Sequence, residues 1–374
     1  VAKAVISGTG LYTPKESISN QELVASFNTW VAHENSQYEE EISAGIRAPL
    51  QESSVAFIEK ASGIKSRYVM NKSGILDPER MCPSLPERSN DEPGIQCEMG
   101  VSAAKQALSE AGKTSADIDA VIVACSNMQR PYPAISVEIQ AALGIDGFAY
   151  DMNVACSSAT FGLQAAINSV ENGSARAVLL ISPEICSGHL NFRDRDSHFI
   201  FGDACTAVVV EHVESATSTQ QFRVLSTKLK TQFSNNIRNN FGFLNRGDKS
   251  GIGKSDKLFI QQGRKVFKEV VPMVSSIIME QLREMSVSID DLKRLWLHQA
   301  NLSMNHLISK RVLGREATPE ESPVILDQYA NTSSAGSIIA FHKFKDGLLK
   351  GDKGIICSFG AGYSVGSILI EKAV

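Results

Sequence analysis

No C-x-x-C pair occurs in the chain, and its seven cysteines, at 82, 97, 125, 156, 186, 205 and 357, are odd in number and widely spread. That arrangement argues against a disulfide framework and a cysteine-based zinc site, and a reducing cytosol is the expected compartment. An excess of one charge is equally lacking: 37 Lys and Arg against 41 Asp and Glu leave a net charge of −4. Binding to nucleic acid through overall charge is therefore not expected. No apolar stretch reaches the ~18 residues of a membrane span. The opening "VAKAVISGTGLYTP" lacks the apolar core and cleavage site of a secretory leader. What is present is 374 residues, 43% of them hydrophobic, enough for one large domain or two fused halves.

The two halves of the chain resemble each other. "SADIDAVIVACSN" (115 to 127) and "SIDDLKRLWLHQAN" (288 to 301) each pass from a Ser and acidic turn through an apolar run to Asn. Each follows a long amphipathic pattern that predicts a helix, over 95 to 111 and about 263 to 285. "ACSSATFGLQAAINSVENGSARAVLLIS" (155 to 182) runs beside "NTSSAGSIIAFHKFKDGLLKGDKGIICSF" (331 to 359), so that Cys156 matches Thr332. "FGDACTAVVVE" (201 to 211) echoes "FGAGYSVGSILIE" (359 to 371).

Three matched blocks in one order predict a duplicated domain. The strand-like runs "AVIVA", "AVLLIS" and "GIICSF" are continuously apolar, as in sheets covered by helices on both faces. The expected fold is α/β, a five-layer α/β/α/β/α sandwich of two halves, 1–213 and 214–374, dividing near 213 to 222. Two segments, near 28–55 and 71–94, lack a counterpart and read as decorations or a cap.

The duplication brings the turn at Cys156 and the turn at Asn331 face to face across the central layer. Cys156 begins a helix pattern whose first turn, "SSAT", offers free N–H groups that lower a thiol's pKa. Its local sequence alone fits a nucleophile and an inert core cysteine equally. Cys125, Cys205 and Cys357 lie in or beside apolar strand patterns and are expected in the core. His298 closes the strand-like run "RLWL", where sites on α/β sheets gather. His189, His198, His212, His306 and His342 are assigned structural or surface roles, since none has metal-ligand spacing. "FGAGYSVG" is not followed by a helix and so makes a poor phosphate loop.

At these residues a family becomes recognisable. "VACSSA", "LHQANLSMNHLI", "NTSSAG" and "SFGAGYSVGSILI" resemble the thiolase superfamily, most specifically β-ketoacyl-acyl-carrier-protein synthase III. The resemblance extends from "ISGTGLYTP" to the C-terminus, apart from the two insertions. It implies a thiolase-like fold and a decarboxylative condensation of an acyl-coenzyme A primer with malonyl-acyl carrier protein, in a cytoplasmic homodimer using no metal or cofactor. Cys156 would carry the acyl group as a thioester. The amides of Cys156 and Ala361 would hold the oxyanion, and His298 and Asn331 would stabilise the enolate oxygen. Phe359 would stand beside the departing carboxylate.

The same resemblance implies that Ser53, Phe57, Arg195, Gly263, Phe267 and Asn301 bind coenzyme A, with Phe57 in place of the family's usual Trp. Arg264, Lys265 and Lys268 would meet the acidic carrier protein. Ser303 stands where the family commonly has Arg, which would weaken docking or shift it toward Lys310 and Arg311. Ala159, where acetyl-using relatives commonly have Phe, frees space for a longer chain, as in insertion-bearing, β-ketodecanoyl-forming relatives. Each buried CH2 contributes about 0.8 kcal/mol, so a matched channel would favour a medium-chain primer such as octanoyl over acetyl. Tyr132 matches a position that reaches the neighbouring subunit's primer channel, and its bulk works against that preference. The alternatives are an acyltransferase or condensing enzyme of secondary metabolism, a thiol hydrolase, or a non-catalytic scaffold with the same fold.

Overall fold

The computed structural model describes residues 3–240 and 242–374. Among the described residues nine strands form one sheet: β1 (Ala4–Tyr12), β2 (Ala120–Ala124), β3 (Phe148–Met152), β4 (Ala177–Ile185), β5 (Asp203–His212), β6 (Phe222–Thr231), β7 (Leu292–Leu297), β8 (Lys353–Gly360) and β9 (Ser364–Lys372). Their order is β7-β8-β9-β6-β1-β5-β4-β2-β3.

The same strand pattern occurs twice. In the first set β4, β2 and β3 are parallel while β5 and β1 run against their neighbours. In the second, β7 and β8 are parallel while β9 and β6 run against theirs. Among the described residues, strand pairing joins the two sets where Val5 and Ile6 pair with Arg223 and Phe222. Beyond β7 the place of a fifth strand is taken by irregular chain, whose Glu321 carbonyl accepts the Leu295 N–H at 2.7 Å.

The principal helices are α1 (Asn20–Gln37), α2 (Val55–Ser62), α3 (Ile95–Ala111), α4 (Ile135–Leu143), α5 (Ser158–Glu171), α6 (Gly263–Glu284), α7 (Leu302–Leu313) and α8 (Ala335–Phe344). α5 and α8 lie between the two sets of strands, α3 and α4 cover the outer face of the first set, and α6 and α7 cover that of the second. Layers and cores correspond: small residues of α5 such as Ala159 and Ala166 let it pack against Trp296, Ile339 and Ile356 from the other half. The strands facing this core are buried on both sides, which explains their unbroken apolar runs.

A fourth core belongs to the cap, where α1, α2 and the antiparallel pair Glu16–Ser19 with Ser66–Val69 enclose Phe27, Ile58, Phe192 and Phe199. α1 opens on a capping box, with Ser19 accepting Glu22 N–H and Glu22 accepting Ser19 N–H. The first unmatched segment, read from sequence as a decoration or a cap, begins within this helix. Its first ten residues complete α1, whose Phe27 and Val31 anchor the cap.

No helix among the described residues is long and apolar enough to cross a membrane.

Candidate active site

Cys156 sits in a short 3-10 turn, Ala155–Ser157, between β3 and α5. The residue before it, Ala155, is held at φ 47°, a left-handed conformation costing a non-glycine residue on the order of 1–3 kcal/mol. Side chains pin this strained turn: Asn153 Oδ1 accepts the Ala155 N–H and Asn153 Nδ2 donates to the Ser126 carbonyl, both at 2.8 Å. Backbone closes on the thiol from the β8–β9 hairpin, where a Cβ on Gly360 would stand 2.5 Å from the Cys156 Cβ and 3.0 Å from its sulfur.

Asn331 and His298 arrive from the second set of elements. Asn331 is laced to the first half by backbone: its N–H donates to the Ile200 carbonyl at 2.9 Å and its carbonyl accepts the Gly202 N–H at 3.0 Å. Its Oδ1 accepts the Ser333 N–H at 2.8 Å, which leaves the side-chain NH2 as the donor available to a ligand. His298 follows β7, with its N–H on the Cys357 carbonyl at 2.8 Å. Cys156, His298, Asn331 and Phe359 all line one cavity of about 250 Å³.

The charge states are set by burial. Ser333 Oγ donates to Cys156 Sγ at 3.4 Å, and the N–H groups of Ala361 and of Cys156 also meet the sulfur. These contacts favour the thiolate, yet burial outweighs them and pushes the thiol up to about 11, with the Glu184 carboxylate adding to the rise. The N–H groups at the head of the helix pull the thiol down, in the sense that the sequence suggests, but burial acts more strongly in the other direction. Burial also holds His298 down at about 4, against a hydrogen bond with the Ser333 backbone that favours its protonated form. The imidazole is neutral, a hydrogen-bond donor rather than an acid.

The other expected residues divide. Gly263, Phe267 and Asn301 line the cavity. Asn301 is structurally committed as well: it caps α7 by accepting the Met304 N–H at 3.2 Å and donates to the Ala61 carbonyl at 2.7 Å. Arg195 stacks over Phe57 at 4.0 Å while donating to the Glu52 carbonyl. Arg264, Lys265 and Lys268 are exposed on the first turns of α6, beside cavity-lining Gly263 and Phe267.

Three residues lie elsewhere. Ser53 is buried and its hydroxyl is bonded to His198 Nε2 at 2.9 Å, away from the cavity lining. Ala159 is in the central core, and Tyr132 is 81% exposed. Sequence reasoning missed Ser333, whose only signal was its place next to Thr332, the counterpart of Cys156. Among the described residues no group of His, Cys, Asp and Glu could hold a metal.

The fold is that of the thiolase-type condensing enzymes. A solved 3-oxoacyl-[acyl-carrier-protein] synthase III from Aquifex aeolicus aligns with a TM-score of 0.75 at 25% identity, covering 99% of this chain and 100% of that one. The priming β-ketosynthase of a polyketide pathway aligns with a TM-score of 0.78 at 24% identity, covering 100% and 97%. Two descriptions match the chain: 3-oxoacyl-[acyl-carrier-protein] synthase III over residues 150–232 and its C-terminal part over 282–372. A β-ketodecanoyl-[acyl-carrier-protein] synthase of Pseudomonas aeruginosa is 66% identical over 347 residues, covering 93% of this chain and 99% of that protein. The chain belongs to the 3-oxoacyl-[acyl-carrier-protein] synthase III family.

Proposed function

We propose that this condensing enzyme loads a medium-chain acyl group, octanoyl above all, from coenzyme A onto Cys156 and condenses it with malonyl-carrier protein. The observation that carries the reading is the convergence of Cys156, His298 and Asn331 on one cavity. The primer length rests on the relative of 66% identity that is named for a β-ketodecanoyl product. Ten carbons less the two that malonate supplies leave an eight-carbon primer.

In the first step Cys156 Sγ attacks the thioester carbonyl, its proton leaves with the coenzyme A thiol, and the amides of Cys156 and Ala361 hold the oxyanion. In the second, the malonyl thioester oxygen rests between His298 and the Asn331 NH2. CO2 departs past Phe359, and the enolate carbon attacks the acyl-cysteine, returning the thiolate as leaving group. A neutral His298 suits this step, since a developing enolate needs donors placed in advance.

Arg195 and Phe57 would part to seat the adenine, and Arg264, Lys265 and Lys268 would receive the carrier protein. We also propose that the chain divides into its two halves near 213 and 214, and that it acts as a homodimer in a cytoplasmic setting. β3 is a sheet edge with exposed Phe148 and Tyr150, and pairing with a second copy would cover both.

Intact-mass measurement after exposure to acetyl- through dodecanoyl-CoA, followed by malonyl-carrier protein, tests the proposal. Octanoyl should load preferentially on Cys156 and be converted to a β-ketodecanoyl product. Acylation of a Cys156→Ala variant, or an acyl-enzyme that yields no β-ketoacyl product, would sink it.

A further inference from the structure

Glu184, at the end of β4, is 1% exposed, and its four closest partners are all neutral donors. Ser126 gives it an N–H at 2.9 Å and a hydroxyl at 2.6 Å; Ser334 gives it a hydroxyl at 2.5 Å and an N–H at 3.3 Å. The Cys186 thiol lies 3.8 Å away. Two backbone N–H groups and two hydroxyls thus converge on one carboxyl group, and the Ser334 hydroxyl also lies 3.3 Å from the Ala124 carbonyl.

Both serines lead to the candidate site. The Ser126 carbonyl holds the Asn153 side chain, and Asn153 Oδ1 holds the strained Ala155 turn just before Cys156. Ser334 heads α8 directly after Ser333, which donates its hydroxyl to the Cys156 sulfur and its N–H to Asn331. One carboxylate is thus the common anchor of two hydrogen-bond chains, one ending at the nucleophile's turn and the other at the turn of the enolate donor.

We infer that Glu184 is a positioning residue for the condensation, fixing the Cys156 turn and the Asn331–Ser333 turn at one distance from each other across the two halves. This rests on the roles proposed above for Cys156 and Asn331. A buried, fully satisfied anchor of this kind is rigid because no competing water can take its donors. The titratable groups that face Glu184 are the thiols of Cys125, Cys156, Cys186 and Cys205. The carboxylate also raises the Cys156 thiol, so it disfavours the free thiolate while it aligns the site.

The two effects have opposite signs, which makes them separable. Iodoacetamide modification of Cys156 across pH, read by peptide mass, reports the thiol without any substrate. Condensation of octanoyl-enzyme with malonyl-carrier protein reports the alignment. Glu184→Gln should move the alkylation profile to lower pH and yet slow condensation by roughly 10- to 100-fold, as expected for a small misplacement of reacting groups. Glu184→Asp keeps the charge but cannot span both serines, so its alkylation profile should match wild type while condensation still falls.

A Gln variant with wild-type condensation would overturn the inference. So would parallel loss of alkylation, condensation and thermal midpoint, the mark of a merely structural group. Should the Gln variant not fold, the Asp variant decides: slowed condensation with an unchanged alkylation profile supports positioning, and unchanged condensation refutes it. A wild-type enzyme that alkylates normally but does not condense would instead refute the functional reading.

Discussion

The rings of His298 and Phe359 meet edge to face, 5.2 Å between centroids and 88° between planes. A hydrogen bond with the Ser333 backbone and the perpendicular Phe359 ring together fix the plane of the imidazole. Phe359→Leu should preserve formation of the acyl-enzyme and lower the condensation rate about tenfold, since one edge contact that orients a donor is lost. Equal slowing of both half-reactions would show that Phe359 serves the cavity as a whole.

Replacing either of the proposed enolate donors should separate the half-reactions more sharply. His298→Ala and Asn331→Ala are expected to load octanoyl at near wild-type level by intact mass. Their release of CO2 from malonyl-carrier protein should drop by roughly 10²–10³-fold, the usual loss for one such donor.

Gly360 tests how closely the hairpin must approach. With a Cβ 2.5 Å from that of Cys156, Gly360→Ala forces either the hairpin or the nucleophile's turn to move. The expected cost is about 1–3 kcal/mol of stability by overpacking, seen as a lower denaturation midpoint, together with a loss of acyl-enzyme formation. A variant that loads normally would show that the turn yields easily.

Acid stability follows from the buried histidines. His189, His298 and His342 are held at about 4 and His198 at about 3, against an ordinary 6.5. Between about pH 4 and 6.5 the unfolded chain binds protons on these rings that the folded chain does not, so stability falls as pH drops. Asp203, raised to about 6 by burial, and Glu184, raised by the same cause, act in the opposite sense. Four groups against two give a net loss, and the urea midpoint should decline steadily from pH 7 to pH 5. A midpoint that rises over that interval would contradict the assignment of neutral buried rings.

Ligand affinities should separate by surface. Arg195→Ala and Phe57→Ala are expected to raise KM for acyl-CoA with little change in kcat. Charge reversal at Arg264, Lys265 and Lys268 should raise KM for malonyl-carrier protein alone, and added salt should have the same effect on wild type.

Much of this arrangement is legible in the sequence because it is periodic or local. The helix expected over 95 to 111 is α3, Ile95–Ala111, and it stops where Gly112 takes φ 66°. The repeat places Cys156, His298 and Asn331 at element ends, and all three line the cavity. What escapes the sequence depends on contacts across long separations. The contact of the Ser53 hydroxyl with His198, 145 positions away, is one of these. A helix terminus is visible in sequence, whereas the burial that pushes the Cys156 thiol up is not. Glu184 gives no local signal, since an acid within a strand pattern ordinarily marks an exposed face.

The stack of Arg195 on Phe57 means that the seat proposed for adenine is already furnished by the protein. A base inserted between the two, as proposed, would trade one guanidinium–phenyl contact for two contacts of its own, so its net gain would be the second contact less the cost of parting the pair. A nucleotide with a smaller ring would recover less of that cost, and closure of the pair behind a departing coenzyme would clear the seat.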